Sequence, residues 1–166
     1  MADIKNVAMS INKKIYKTLF GKTEPSSPNI IITNISFIAQ TINNFSCTSK
    51  ISKGWWLSYD LNIKYRRYEL LKIPPGNNIC DCLKVISPYV KTLTFVGYGG
   101  GLNDDLSIGD VVLVDQYQDA VGGKQQPYTE KSITSTEGLY LSRIVYKKLA
   151  QAGVDIVDME AKYVFE

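Results

Sequence analysis

Three short stretches hold the residues whose types and spacing could do chemistry. The first, "FVGYGGGLNDDLSIGDVVLVD" from Phe95 to Asp115, sets five Gly among two apolar runs. Where an apolar strand runs into Gly-x-Gly-Gly-Gly, backbone N–H groups lie bare of side chains. The carboxyl edge of a parallel sheet is also where α/β folds bind their ligands. A tight turn accounts for the same glycines without any ligand. Two nucleotide motifs are excluded: a dinucleotide fingerprint needs Gly where Leu102 stands, and no Gly-Lys-Ser/Thr follows to make a P-loop.

The second stretch is "VDMEA", Val157 to Ala161, where a strand pattern hands over to a helix. Glu160 reads there as a first-turn carboxylate favoured by the helix dipole. It reads equally as a fixed acceptor for adjacent hydroxyls of a sugar, since an ionised carboxylate takes two such bonds. Met159 divides in the same way between core filler and an apolar wall for a ligand. The third stretch, "TSTEGLY" from Thr134 to Tyr140, clusters hydroxyls with Glu137 ahead of a helix, as a capping box does, or as a ligand contact would.

Composition limits the chemistry. The 166 residues have room for one domain, 1–166, and 45% hydrophobic with 21% charged is ordinary for a globular protein. Nineteen basic against sixteen acidic residues is too balanced to predict a nucleic-acid partner. The densest basic run, Lys64 to Lys72, reads as the solvated face of a strand. No His is present, and Cys47, Cys80 and Cys82 lack CxxC spacing, so no metal site, cofactor site or His-based triad is expected. Apolar stretches fall far below the roughly 20 residues that span a bilayer. The N-terminus lacks the continuous apolar centre of a secretory signal, so the chain reads as cytoplasmic.

These residues need elements to position them. Ile4, Val7, Ala8, Ile11, Ile15 and Leu19 recur at helical spacing, which predicts an amphipathic helix within residues 1–22. Beyond a Pro-rich turn, "NIIIT" (Asn29 to Thr33) is a buried-strand pattern and "SFIAQTINNF" a short helix. Gly54 to Leu61 and Arg67 to Ile73 read as strands joined by a hairpin through "NIKYR". After "PPGNN", a helix runs from Ile79 to about Ile86. Thr92 to Val96 and Val111 to Val114 read as further strands, residues 116–134 as mostly loop, and Leu139 to Ala152 as a helix stopped by Gly153. Alternating helices and apolar strands predict an α/β fold with a largely parallel, mixed sheet.

Taken in order, "FVGYGGGLNDDLSIGDVVLVD", "STEGLY" and "VDMEA" resemble the nucleoside phosphorylase and nucleosidase superfamily, in its V-G-x-x-G-G-L, G-D-V-V and M-E-A motifs. "PPGNN" stands where that family has a glycine turn, so the resemblance covers about residues 68–166. It implies a three-layer α/β sandwich around a mixed, partly barrel-like sheet, and a purine nucleoside as small-molecule partner. It also implies a homo-oligomer. By position, Met159 and Glu160 would hold the ribose, and Gly97, Tyr98, Gly99 and Gly100 would line the sugar and nucleophile side. Leu139 would face the base, while Val157 and Asp158 would flank its edge.

The departures from the family are as informative. Phosphorylases of this kind carry Arg where this chain has Phe95, and a small hydroxyl residue where it has Tyr98. Losing both the cation and the small hydroxyl disfavours phosphate as nucleophile, so the resemblance points to the branch that uses water. The family's general acid is an Asp on a strand following the M-E-A helix. Glu166 lies inside that helix, so a fold truncated at its C-terminus is expected, with that Asp missing. Glu137, Asp119 or a residue of a partner chain would then be the substitute acid. The interval before "STEGLY" is also short, about 20 residues, and "NIIITNIS" offers no counterpart to the family's water-positioning Glu. The expectation is a nucleosidase-like hydrolase of purine nucleosides. Its alternative is a catalytically degenerate nucleoside-binding or assembly subunit whose N-terminal helix docks on a partner. A third reading makes the chain the first part of a longer polypeptide.

Overall fold

The computed structural model describes residues 2–45, 50–114, 116–117, 132–135 and 142–165. They form two compact units, Met1–Gly97 and Tyr98–Glu166.

The first unit begins with α1 (Ala2–Phe20), followed by β1 (Asn29–Thr33) and α2 (Ser36–Phe45). Next come β2 (Lys50–Lys53), β3 (Leu57–Ile63), β4 (Arg66–Lys72), α3 (Asn78–Ile86) and β5 (Thr92–Val96). The five strands make one sheet in the order β2-β3-β4-β1-β5. β1 lies parallel to both β4 and β5, and the β2-β3-β4 meander is antiparallel. The centre of "NIIIT", Ile30 to Ile32, is continuously apolar because β1 is paired on both edges and covered on both faces.

Strand parity assigns the two faces. Leu70, Tyr59 and Leu61 pack with Ala39 of α2, whereas Glu69, one residue along, takes a hydrogen bond from Tyr16 of α1. α3 packs against α1 and buries Ile79, Cys82, Val85 and Ile86. Helices therefore cover both faces of the sheet, a three-layer arrangement.

The periodicity of α1 is real, but its buried stripe lies elsewhere than the aliphatic pattern predicts. Tyr16, Leu19 and Phe20 are buried, while Met9, Ile11 and Ile15 are exposed. The aromatic pair decides the orientation: Tyr16 and Phe20 stack at 4.8 Å, and Phe20 meets Trp56 edge-on at 5.6 Å. Trp55 and Trp56 also donate their backbone N–H groups to Thr18 and Leu19. Gly54 permits this docking, since a Cβ there would fall 2.4 Å from the Thr18 carbonyl oxygen. Among the described residues, no helix is long and apolar enough to cross a membrane.

The hairpin between β3 and β4 turns on Lys64 and Tyr65, with φ of 45° and 66°. Two successive positive φ values make a type I′ geometry, which fits the right-handed twist of the strands but ordinarily uses Asn-Gly.

The second unit holds β6 (Gly100–Gly101), β7 (Gln116–Tyr117), β8 (Ser132–Ser135), α4 (Arg143–Gln151), β9 (Ile156–Asp158) and α5 (Ala161–Phe165). The strand order is β6-β9-β8-β7, with β9 antiparallel to β6 and parallel to β8. β9 is buried on both faces. Ile156 packs with Ile133, Ala161, Leu106, Val112 and Val114, and Val157 with Leu149 and Val154 around α4. Ser142 caps α4, accepting from the Val145 N–H. Neither sheet closes into a barrel among the described residues.

Several differences from the sequence reading concern pairing. β2 and the short β6 were not predicted. Residues 116–134, read as mostly loop, contain β7 and most of β8, which are strands because they add to the edge of β9. Val111 to Val114, expected as a strand, is in none of the described ladders, although Val112 and Val114 turn inward while Val111 and Leu113 are exposed. Among the described residues, the segment has the alternation of a strand without a ladder partner.

Candidate functional site

The structure brings the glycine stretch and "VDMEA" together within the second unit. Gly100 pairs with Val157, and Gly101 with Ile156. Gly99 lies so close to β9 that a Cβ on it would fall 2.4 Å from Ile156 Cγ2 and 3.3 Å from the Val157 oxygen. What approaches the backbone there is β9 itself, so packing accounts for Gly99. At Gly100 a Cβ would meet Val157 at an ordinary 3.7 Å, and this glycine stays exposed. Tyr98 is exposed beside them. Gly97 belongs to the first unit, directly after β5.

Beyond Val157 the chain turns into α5 through Asp158, Met159 and Glu160. Asp158 is buried, and its Oδ2 accepts the Ala161 N–H at 2.8 Å. That bond satisfies a donor that the start of the helix leaves free, so Asp158 fixes the turn. Glu160 is buried within the same turn, and Met159 is half-buried. The pairing of β6 with β9 thus places this turn next in the chain to the strand that lies beside Gly100 and Gly101. Glu137, Asp119 and Leu139 lie outside the described residues. A cleft of about 260 Å³ opens between Leu102–Asp104 and Gly153–Asp155, with Asn103 donating to Asp155 at 2.8 Å. None of the residues expected at a ligand site lines it.

This is also where the comparisons with known proteins bear. No protein-family model matches the sequence, and a search of curated proteins found no match. Solved structures do match. A uridine phosphorylase from Vibrio fischeri superposes with a TM-score of 0.71 at 12% identity, over 84% of this chain and 72% of that one. The fold is nucleoside phosphorylase-like. A purine nucleoside phosphorylase from Toxoplasma gondii, in complex with immucillin-H, gives 0.64 at 15% identity over 83% and 69%. A 5'-methylthioadenosine/S-adenosylhomocysteine nucleosidase from S. pneumoniae gives 0.66 at 12% identity over 81% and 76%. The nucleoside phosphorylase-like fold found here thus matches solved phosphorylases and a solved nucleosidase alike.

Sequence reasoning missed a buried polar network on the α1 face of the first sheet. Glu69, without solvent exposure, is its centre. Its Oε1 accepts from the Tyr16 hydroxyl, from Ser58 Oγ at 2.6 Å and from Lys22 Nζ at 3.0 Å. Oε2 accepts the Ser26 N–H at 2.5 Å. Ser26 Oγ sits 3.2 Å from that oxygen and 2.5 Å from Asp60 Oδ1, with one proton to share between them. Lys22 also pairs with Asp60 at 2.6 Å. Burial, then the Glu69 charge and the bond donated to it, push the Tyr16 hydroxyl far above its ordinary value. Burial and the same charge raise the Cys82 thiol. Both stay protonated, so neither serves as a nucleophile, and the donors on Glu69 make it an anchor for α1. The signal was available: Glu69 is a carboxylate in line with the apolar run Leu70–Leu71 of the strand, at an inward position.

Proposed function

We propose that this chain is a nucleosidase-like hydrolase that binds a purine nucleoside in the cytoplasm and cleaves its N-glycosidic bond with water. The observation that carries the reading is the pairing of β6 with β9. It sets the bare Gly100 edge beside the turn that bears Met159 and Glu160. In this reading the Glu160 carboxylate accepts hydrogen bonds from two adjacent ribose hydroxyls, and Met159 forms an apolar wall for the sugar. Asp158 holds the backbone of the turn that bears Glu160 through the Ala161 N–H. As the bond to the base stretches, the ribose gains oxocarbenium character, which a carboxylate held nearby stabilises. The base then leaves with a proton supplied by Glu137 or Asp119. Phe95 and Tyr98 stand where a phosphate-using site needs a cation and a small hydroxyl, which favours water as the attacking group. The likeness to phosphorylases and a nucleosidase, one bound to immucillin-H and one to a transition-state inhibitor, supports a nucleoside as the ligand.

The test is chromatographic. A panel of purine and pyrimidine nucleosides is incubated with the protein, with and without inorganic phosphate, and free base and sugar are measured. Release of purine and free ribose without phosphate is expected. A strict requirement for phosphate would overturn the choice of water, and release of pyrimidines alone would overturn the choice of base. Binding by calorimetry without any release would replace the reading with that of a nucleoside-binding subunit. Glu160→Gln is expected to lower kcat/KM by about 10- to 10²-fold, because the amide keeps one acceptor oxygen and loses the charge and the other.

A further inference from the structure

The balanced charge of the whole chain conceals a segregation. Met1–Gly97 carries 13 Lys and Arg against 5 Asp and Glu, whereas Tyr98–Glu166 carries 6 against 11. Within the first unit, Lys22 holds both Asp60 and Glu69, and Lys13 holds Glu24. Three of the five carboxylates are thus already neutralised, and the surplus of that unit is cation. A charge so unevenly divided along a chain points to a polyanionic partner.

The fold gathers part of the surplus at one edge of the first sheet. β1, β4 and β5 run parallel, so their amino ends share an edge, and the β3–β4 hairpin turns there. Carried back from Ile30↔Glu69 and Asn29↔Thr92, the register sets Arg67 and Lys91 on either side of Pro28. The Lys91 N–H donates to the Pro28 carbonyl at 2.8 Å, and Ser27 Oγ donates to the Arg67 carbonyl at 2.7 Å. These bonds hold the two cation-bearing positions two strand spacings apart, about 10 Å. Lys64 and Arg66 extend the row along the hairpin. All four are exposed, and among the described residues none pairs with a carboxylate. Residues 26–29, 62–68 and 87–92, which form this edge, contain no Asp or Glu.

Tyr65 stands at the tip of the same hairpin, 106% exposed, so nothing in the described fold packs on its ring. It and Lys64 hold φ of 66° and 45°, a strain that an Asn-Gly turn would avoid. Of the large apolar side chains in these segments, only Tyr65 is exposed.

We infer that this edge binds a single-stranded nucleic acid, with Lys64, Arg66, Arg67 and Lys91 on phosphates and Tyr65 stacked on a base. The two guanidinium groups suit phosphate oxygens, which they can take in pairs. The strand is single because a lone ring stacks only on a base that has left its own stack. A membrane fits less well, since the edge exposes no aliphatic side chain to enter a bilayer. The edge lies at the opposite end of β5 from Gly97, and the inference does not rest on the nucleoside reading.

The experiment is fluorescence anisotropy on the full chain with a labelled oligouridylate of about 12 nucleotides. The comparisons are the same strand annealed to its complement, inorganic polyphosphate as competitor, and phosphatidylserine vesicles as competitor. Micromolar binding at low salt is expected, with log K falling against log salt at a slope of about −3, roughly 0.7 for each of four phosphates. Arg66→Ala with Arg67→Ala should make that slope shallower by about 1.4 and weaken binding at least about 10-fold. Tyr65→Ala should weaken binding by about 10-fold at unchanged slope, and Tyr65→Phe should restore it. The deciding variant is Lys64→Asn with Tyr65→Gly, which should melt at a higher temperature than the wild type and yet bind at least about 10-fold less tightly. No binding at low salt, equal affinity for the duplex, equally strong competition by polyphosphate or by vesicles, or a Tyr65→Ala protein that binds as the wild type does would each overturn the inference.

Discussion

Glu69→Gln tests whether α1 is an integral part of the fold or an appendage. The wild-type carboxylate takes donors from Tyr16, Ser58, Lys22 and Ser26 with no exposure to water. An amide of the same shape keeps one acceptor oxygen but turns an NH2 group toward the donors on the other side. It also leaves Lys22 with Asp60 as its only carboxylate partner in the network. Disrupting a buried charge pair in this way costs about 3–5 kcal/mol, a large share of the roughly 5–15 kcal/mol that holds a domain together. With a urea dependence of about 2 kcal/mol/M, the unfolding midpoint should fall by roughly 2 M. Tyr16→Phe removes one bond to a charged acceptor and should cost about 1.5–3 kcal/mol. Because the two residues share that bond, the double variant should be less destabilised than the sum of the singles, with a coupling above about 1 kcal/mol. The assay is equilibrium urea unfolding followed by tryptophan fluorescence, since Trp56 packs on Phe20 of the same helix. A Glu69→Gln midpoint within about 0.25 M urea of the wild type, a difference of about 0.5 kcal/mol, would refute the anchoring role.

Three further outcomes follow from the geometry. Gly99→Ala should destabilise the protein by about 1–3 kcal/mol, measured in the same unfolding assay, because the new Cβ lands 2.4 Å from a stiff β-branched side chain. Replacing Lys64-Tyr65 by Asn-Gly should stabilise it by about 1 kcal/mol or more, since two L residues with bulky side chains hold φ of 45° and 66°; an unchanged melting temperature would count against that turn. Stability should fall in alkaline solution. Cys82 and Tyr16 have folded values raised above their ordinary 9.0 and 10.0, so above those pH values the unfolded chain loses protons that the folded one keeps. The decline should begin near pH 9, approach about 1.4 kcal/mol per pH unit for each group, and lose its component above pH 10 in Tyr16→Phe.

Much of the first unit was legible because its signals are local. "NIIIT", the helix after "PPGNN" and the hairpin through Lys64 and Tyr65 each follow from patterns within ten residues. The stripe of α1 that is buried was not legible, because Tyr16 and Phe20 win over the aliphatic residues through partners distant in sequence, Glu69 and Trp56. β2 escaped notice for a related reason: "KISK" has a single aliphatic residue and is a strand only because β3 offers it an edge. At the glycine stretch the pattern was visible and its cause was not. Nothing near Gly99 announces that Ile156 fills the space where its side chain would be.

The central place of β1 also sets an order of events during synthesis. Ile30 leaves the ribosome 39 residues before its partner Glu69 and 63 residues before Leu93. At about 5–20 residues per second, "NIIIT" waits roughly 2–8 s for its first parallel neighbour. Through that interval a run of three isoleucines has no parallel ladder partner, the kind of segment that pairs with other chains. Pro28 and Asn29 before it and Asn34 after it restrict such pairing. The same strand that organises the finished sheet is the part of the nascent chain most in need of protection.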